Sequence, residues 1–218
     1  MGQRDCCDCD CDDCCNCSWT AIIIWVAIGI VLTVVLIVLI LAFAVIKPPK
    51  ATADDALLTR FSLSPSTNAS TPQLQLLSYN ATVTISLRNP NMYYGISYSD
   101  LATVFSFNGT KFDELGTVRA FDQGAKKTTA VRLTVGGVAK ALPKLSAAGP
   151  AEFSKQKEAG TFQIEARLDG VMQYKGRSKK CPVAVICPLK LQLVDPDVAA
   201  TAFQQTKCTI LRAKTSGC

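Results

Sequence analysis

Seven of the eleven cysteines fall between Cys6 and Cys17, in the run Cys6-Cys7-Asp8-Cys9-Asp10-Cys11-Asp12-Asp13-Cys14-Cys15-Asn16-Cys17. Thiols crowded beside an apolar segment suit reversible S-acylation, because each acyl chain adds to anchoring. Cys6, Cys7, Cys9, Cys11, Cys14, Cys15 and Cys17 are therefore read as candidate acylation sites. Gathering a soft metal such as zinc or copper(I) is the second reading. Structural zinc sites favour two to four intervening residues, and the crowded spacing here does not match them. A reduced, solvated tail with no dedicated role is the third. The other cysteines, Cys181, Cys187, Cys208 and Cys218, lie far downstream and allow three complete pairings. Cys181 and Cys208 stand near expected strand starts and are the expected disulfide.

Other chemistry is sparse. The chain has no histidine, which removes Ser-His-Asp, Cys-His and His-ligated metal chemistry together. No Gly-x-Ser-x-Gly element and no Gly-rich phosphate loop occurs, and Asp195 and Asp197 flank Pro196 in what reads as a loop. The chain is expected to be non-enzymatic, with no cofactor and no metal. Lys175, Arg177 and Lys179 are spaced two apart, which on a strand would place them on one face, and Lys180 adds to the cluster. Lys126, Lys127 and Arg132 form a second basic group. Such faces suit anionic lipid headgroups or acidic wall polysaccharide, and the plain alternative is a solvated sheet surface. Nucleic acid fits poorly, since no aromatic stacking motif accompanies the charge. Asn68-Ala69-Ser70, Asn80-Ala81-Thr82 and Asn108-Gly109-Thr110 are usable N-glycosylation sequons, so Asn68, Asn80 and Asn108 are candidate modification sites.

These residues lie in three unlike zones of a 218-residue chain of net charge +6. Residues 1–18 form a Cys/Asp-rich head of net charge −4, residues 19–46 carry no charge, and residues 47–218 carry +10. Ala21 to Ile46 is a run of 26 residues without an ionisable side chain. As a helix it would reach about 39 Å against a hydrocarbon core of about 30 Å, so it is long enough to span. Ala42-Phe43-Ala44 resembles a signal-peptide cleavage pattern, yet the apolar run is about twice the usual length and its leading flank is acidic. An uncleaved signal anchor over 19–46 is the favoured reading. Lys47, Lys50 and Arg60 follow the span and only Arg4 precedes it, so the positive-inside rule alone would put the C-terminal part in the cytosol. The three sequons and the ease of keeping seven thiols reduced in cytosol argue the reverse. The N-terminus is placed inside and the C-terminal domain outside, at the plasma membrane.

Lys47-Pro48-Pro49-Lys50 ends the helix, and residues 47–72 read as a stalk with one strand near Leu57–Leu63. Beyond it the hydrophobic period is two. Val83, Ile85 and Leu87 alternate with polar neighbours, as do Tyr94, Ile96 and Tyr98, then Val131, Leu133 and Val135, then Phe162, Ile164, Ala166 and Leu168. Phe105 and Phe107 run into Asn108-Gly109, a hairpin turn. Asp169-Gly170 reads as a second turn, leading to Met172 and Tyr174. Leu189, Leu191 and Leu193 and a last strand at Cys208–Leu211 complete the series, and Pro150 to Ala159 suits a short helix ending at Gly160. The fold class is mainly β: one transmembrane helix, then an immunoglobulin/fibronectin-like antiparallel β-sandwich over 73–212 with one short helix, and a polar tail at 213–218.

Two motifs carry a resemblance. Arg88-Asn89-Pro90-Asn91, followed by Gly95, Ile96 and Tyr98, resembles the entry of the plant late-embryogenesis-abundant type 2 domain. Phe121-Asp122-Gln123-Gly124-Ala125-Lys126-Lys127-Thr128-Thr129 resembles a second element of that family, although Lys127 stands where many relatives carry Asn. Head, single span and domain together are similar to the harpin-induced and non-race-specific disease-resistance-like membrane proteins. The resemblance covers roughly residues 47–212 and the span before them. It implies a two-sheet sandwich, residence in the plasma membrane, and roles in pathogen or dehydration responses, with no agreed catalytic residues. Asn89-Pro90-Asn91 itself reads as turn chemistry rather than a ligand site. The expected partners are the bilayer, an anionic lipid or wall polysaccharide, and proteins of the plasma membrane. The expected work is adhesion, sensing or scaffolding at the membrane–wall boundary. The alternatives are a structural protectant against water loss and a trafficking factor acting through the cytosolic head.

Overall fold

The computed structural model describes residues 11–44, 46–65, 75–114, 116–142, 149–194 and 203–212. The chain divides into two compact units, 1–46 and 47–218. The first contains helix α1, Cys11–Ala44, of 34 residues. The helix therefore starts inside the Cys/Asp-rich head rather than at residue 19, and Cys6, Cys7 and Cys9 lie outside the described residues. Trp19–Ile40 is long and apolar enough to cross a membrane, and none of it is buried against protein. A helix apolar on every side and covered by nothing suits lipid rather than a protein core. By length and composition it is a candidate single-pass anchor.

The second unit is antiparallel β-structure. Its strands are β1 (Lys50–Pro65), β2 (Gln75–Arg88), β3 (Ile96–Tyr98), β4 (Leu101–Phe107), β5 (Thr110–Asp113), β6 (Thr117–Val118), β7 (Phe121–Gln123), β8 (Thr128–Leu142), β9 (Thr161–Tyr174), β10 (Lys180–Gln192) and β11 (Thr206–Arg212). Helix α2, Gly149–Glu158, precedes β9. One sheet runs β11-β1-β2-β8 and the other β5-β4-β9-β10-β11, with β3 also on β9 and β7 on β3. Strand β11 belongs to both, because Thr206–Cys208 pairs with β1 and Thr209–Arg212 with β10. The sandwich is thus closed along one side.

Period two explains the core. Leu77, Tyr79, Ala81, Val83, Ile85 and Leu87 of β2 are buried, as are Phe162, Ile164, Ala166 and Leu168 of β9. The two inner faces meet where Phe61 of β1 packs edge-on against Phe107 at 5.4 Å and Phe162 at 4.9 Å. Phe153 of α2 closes that end, 5.5 Å from Phe61 and 5.4 Å from Phe162. Asn108 (φ 47°) and Gly109 (φ 74°) make the β4–β5 turn, as the sequence predicts. The short helix also falls where expected, with Gly160 at φ 67° beyond its end.

Three expectations need correction. The stalk is a core strand: β1 pairs with β2 from Lys50↔Arg88 to Pro65↔Gln75. Its alternation is hidden because its first inward residues, Ala51 and Ala53, are small and register shifts at Ala53/Asp55 and Leu58/Arg60 reset the phase before Phe61. Asp169-Gly170 is no turn, since β9 runs through it with Asp169↔Ala184 and Gly170↔Val183 paired to β10. Gly170 serves close approach instead: a Cβ there would lie 2.4 Å from Leu101 Cδ2 and 3.1 Å from the Asp100 carbonyl oxygen. Tyr94 lies outside any strand, and β3 is confined to Ile96–Tyr98.

Candidate functional site

Lys47 opens the β unit, and its backbone is held by the side chains of Asn91 and Tyr174. The Lys47 amide donates to Asn91 Oδ1 at 2.7 Å, and Asn91 Nδ2 donates back to the Lys47 carbonyl at 2.9 Å. The Tyr174 hydroxyl donates to the same carbonyl at 3.4 Å. Asn89 fixes Asn91 in turn: its Oδ1 accepts from the Asn91 amide at 3.0 Å and from Asn91 Nδ2 at 2.8 Å. Asn89 Nδ2 donates to the carbonyls of Tyr94 at 2.8 Å and Gly124 at 3.0 Å. Both asparagines are buried, so each bond satisfies a group that would otherwise lose its water unrepaid.

The second motif completes this clasp. The Asn89 amide donates to the Lys127 carbonyl at 2.9 Å, and the Lys126 amide to the Asn91 carbonyl at 3.0 Å. Gln123 Nε2 donates to the Leu87 carbonyl at 2.6 Å. Asn89-Pro90-Asn91 and Phe121–Thr129, separate in sequence, are therefore one hydrogen-bonded structure around Lys47. Nothing in the sequence marked Lys47 or Tyr174 as its partners, because the contacts span 44 and 127 residues.

The basic residues cluster at this end, but not as expected. Strand β9 stops at Tyr174 and β10 starts at Lys180, so Lys175, Arg177 and Lys179 lie in the connecting turn and share no strand face. Gly176 at φ 86° makes the reversal there. Lys175 Nζ lies 2.7 Å from Asp122 Oδ2. That hydrogen bond, with a second from Ser97, holds the Asp122 carboxyl below its usual range. The Arg177 guanidinium sits 5.9 Å from the centre of the Tyr94 ring. Lys126 and Lys127 are exposed in the loop before β8, and Arg132 stands apart on that strand, opposite Thr84. Between the two basic loops the Asn-Pro-Asn loop exposes Met92 (49%) and Tyr93 (54%).

The expected Cys181–Cys208 disulfide is replaced. Cys208 bonds Cys187, with Cα atoms 4.3 Å apart. The β10–β11 register, Val185↔Ile210 then Ile186↔Thr209, brings Cys187 opposite Cys208 at the next step. Cys181 lies six residues back along β10, about 20 Å away, and cannot reach it. Cys181 is itself disulfide-bonded. The Cys187–Cys208 bond sits at the strand shared by both sheets and staples the closed side.

Of the sequons, Asn80 is exposed on β2 and Asn108 is exposed at the β4–β5 tip, at the end of the sandwich away from Lys47. Asn68 lies outside the described residues, as do Asp195 and Asp197. Cys11, Cys14, Cys15 and Cys17 fall within the backbone of α1.

Two polar groups unflagged by the sequence tie strands together. Asp54, at the first register shift of β1, accepts from the Ser86 hydroxyl, from Gln205 Nε2 at 2.6 Å and from the Thr52 hydroxyl at 2.9 Å. The Ser86 bond chiefly lowers the Asp54 carboxyl below its usual range, against the opposing effect of partial burial. The buried Tyr79 hydroxyl donates to Asp113 Oδ2 at 2.7 Å. Burial and that neighbouring carboxylate push the Tyr79 hydroxyl above its ordinary range. The Tyr98 hydroxyl is buried without a hydrogen-bond partner among the described residues, and burial pushes it up as well. Among those residues no three His, Cys, Asp or Glu side chains converge to hold a metal.

Residues 84–187 match the family model of the late embryogenesis abundant protein, LEA_2. The matched segment runs from mid-β2 to Cys187 and contains both motifs, while β1 and β11 lie outside it. The chain is similar to three proteins of Arabidopsis thaliana. It is 26% identical to NDR1/HIN1-like protein 3 over 159 residues, 72% of this chain and 64% of that protein. It is 28% identical to NDR1/HIN1-like protein 10 over 138 residues, 62% and 56% of the two chains. It is 27% identical to NDR1/HIN1-like protein 2 over 121 residues, 56% and 46% of the two chains. The match thus spans less than two thirds of each relative's length. No solved structure matches. Both motifs, joined in one clasp, lie inside the segment that matches LEA_2, and the β unit that carries them is similar to NDR1/HIN1-like proteins.

Proposed function

We propose that this chain is a single-pass plasma-membrane protein whose β-sandwich faces the cell exterior. There it acts in plant defence or stress response by adhesion, sensing or scaffolding at the membrane–wall boundary, without enzymatic chemistry. The observation that carries the reading is the order of parts: an apolar helix, then, seven residues after Ile40, the start of the β unit that carries the LEA_2 match, with Lys47 held by Asn91 of the matched segment. The names and organism of the relatives support the plant setting. The exposed Asn80 and Asn108, the Cys187–Cys208 bond and the disulfide at Cys181 support an oxidising, glycosylating compartment. The cysteines of the head stay cytosolic in this orientation and open to acylation.

Complementation tests the reading. Plants lacking the protein receive either the full chain or residues 47–218 behind a cleavable secretion signal. Restored pathogen or drought response with the full chain alone is the expected result. Equal rescue by the secreted domain contradicts a role that depends on the anchor. It would favour a protectant that works in bulk.

A further inference from the structure

Lys47, where the β unit begins, is seven residues beyond Ile40, the end of the apolar span, a stretch of chain that reaches about 25 Å when fully extended. Three loops surround the clasped Lys47: the Asn-Pro-Asn loop, the loop before β8 and the β9–β10 turn. Their surface is amphipathic in a particular way. Met92 and Tyr93 project together from one loop, 49% and 54% exposed. Exposed Lys126 and Lys127 come from the second, and exposed Arg177 and Lys180 from the third. Asp122, the one acidic residue from 88 to 95, 122 to 128 and 174 to 180, is already paired with Lys175.

We infer that this end rests on the lipid headgroups of the bilayer that holds the span. Met92 and the Tyr93 ring enter the headgroup–acyl boundary, where a ring with a polar tip is at home. Lys126, Lys127 and Arg177 meet phosphate oxygens around them. The clasp gives this contact its purpose: Asn89 and Asn91 hold the apolar loop, the basic loop and the Lys47 backbone in one geometry, so the apolar and basic side chains are presented to the headgroups together. The inference rests on the anchor reading above.

The test uses the full chain in nanodiscs of phosphatidylcholine, with or without about 30 mol% phosphatidylglycerol as the added anionic lipid, and reads amide hydrogen exchange. Segments 91–95, 124–128 and 175–180 are expected to exchange at least about fivefold more slowly in anionic discs than in detergent, as interfacial burial requires. The slowing should shrink at high salt, in Lys127→Glu with Arg177→Glu, and in Met92→Asn with Tyr93→Ser, while exchange in β9 over 162–168 stays unchanged as the folding control. Equal exchange in anionic discs and detergent overturns the proposal. So does slowing that needs added polygalacturonate and ignores lipid charge, since the face would then read an acidic polysaccharide. A chain that fails to enter nanodiscs at all overturns the anchor reading, and this proposal with it.

Discussion

Asn91 spends its whole side chain on neighbours, giving Lys47 one acceptor and one donor and sharing its second donor with Asn89. Asn91→Ala leaves the Lys47 amide without its acceptor, the Lys47 carbonyl with the Tyr174 hydroxyl alone and Asn89 Oδ1 without the Asn91 side-chain donor, and unfolding in denaturant should show a loss of about 2–3 kcal/mol. Asn91→Asp keeps the shape but sets a carboxylate against the Lys47 carbonyl and Asn89 Oδ1, so it should be nearly as harmful. Wild-type stability in both would contradict the clasp. Two tyrosines make a contrasting pair. Tyr79→Phe removes a donor from buried Asp113 and should cost about 1–3 kcal/mol, whereas Tyr98→Phe removes an unmatched hydroxyl and should be neutral or slightly stabilising. Equal losses in the two would mean that the Tyr98 hydroxyl has a partner. Asp54 predicts an acid response. Its folded pKa is lowered, so its contribution is present above the unfolded value of about 3.9 and is lost as pH falls through the folded value. Acid titration of stability should be steeper below about pH 4 in the wild type than in Asp54→Asn. Superimposable curves would remove Asp54 from the account.

At the scale of elements, β11 closes the sandwich and Cys187–Cys208 fixes it there across a separation of 21 residues. Replacing both cysteines by Ser should lower stability by about 3 kcal/mol under oxidising conditions, and should abolish the difference made by a reductant acting on this bond. No change on double replacement would mean that the bond contributes nothing to closure. The elements also show what could be read before the structure was known. Strands β2, β8, β9 and β10 announce themselves because their inward residues are large and strictly alternate, as in Val83, Ile85 and Leu87. β1 does not, because its first inward residues are alanines and two register shifts change its phase. Asp169-Gly170 misleads because a Gly needed for contact with Leu101 has the composition of a turn. The disulfide partner was unreadable for another reason: it depends on the β10–β11 register, which no local pattern encodes. The Asn-Pro-Asn motif was legible as a motif and as turn chemistry. Its task at Lys47 was not, because only the fold brings the two together.

For the whole molecule, charge and architecture point the same way. An uncharged, apolar span at Trp19–Ile40 leads into a basic domain whose loops around Lys47 are rich in cations and whose Asn108 tip is at the opposite end of the sandwich. This polarity makes sense under the proposal that the sandwich stands outside the cell, where the Asn108 sequon would be open to glycosylation. Endoglycosidase mobility shift with protease protection on sealed plant microsomes tests that claim most directly, with Asn68, Asn80 and Asn108 replaced by Gln as controls. The account predicts a shift that those replacements abolish and a β domain shielded from added protease. An unshifted chain whose domain is digested in intact vesicles would place the sandwich in the cytosol and contradict the account.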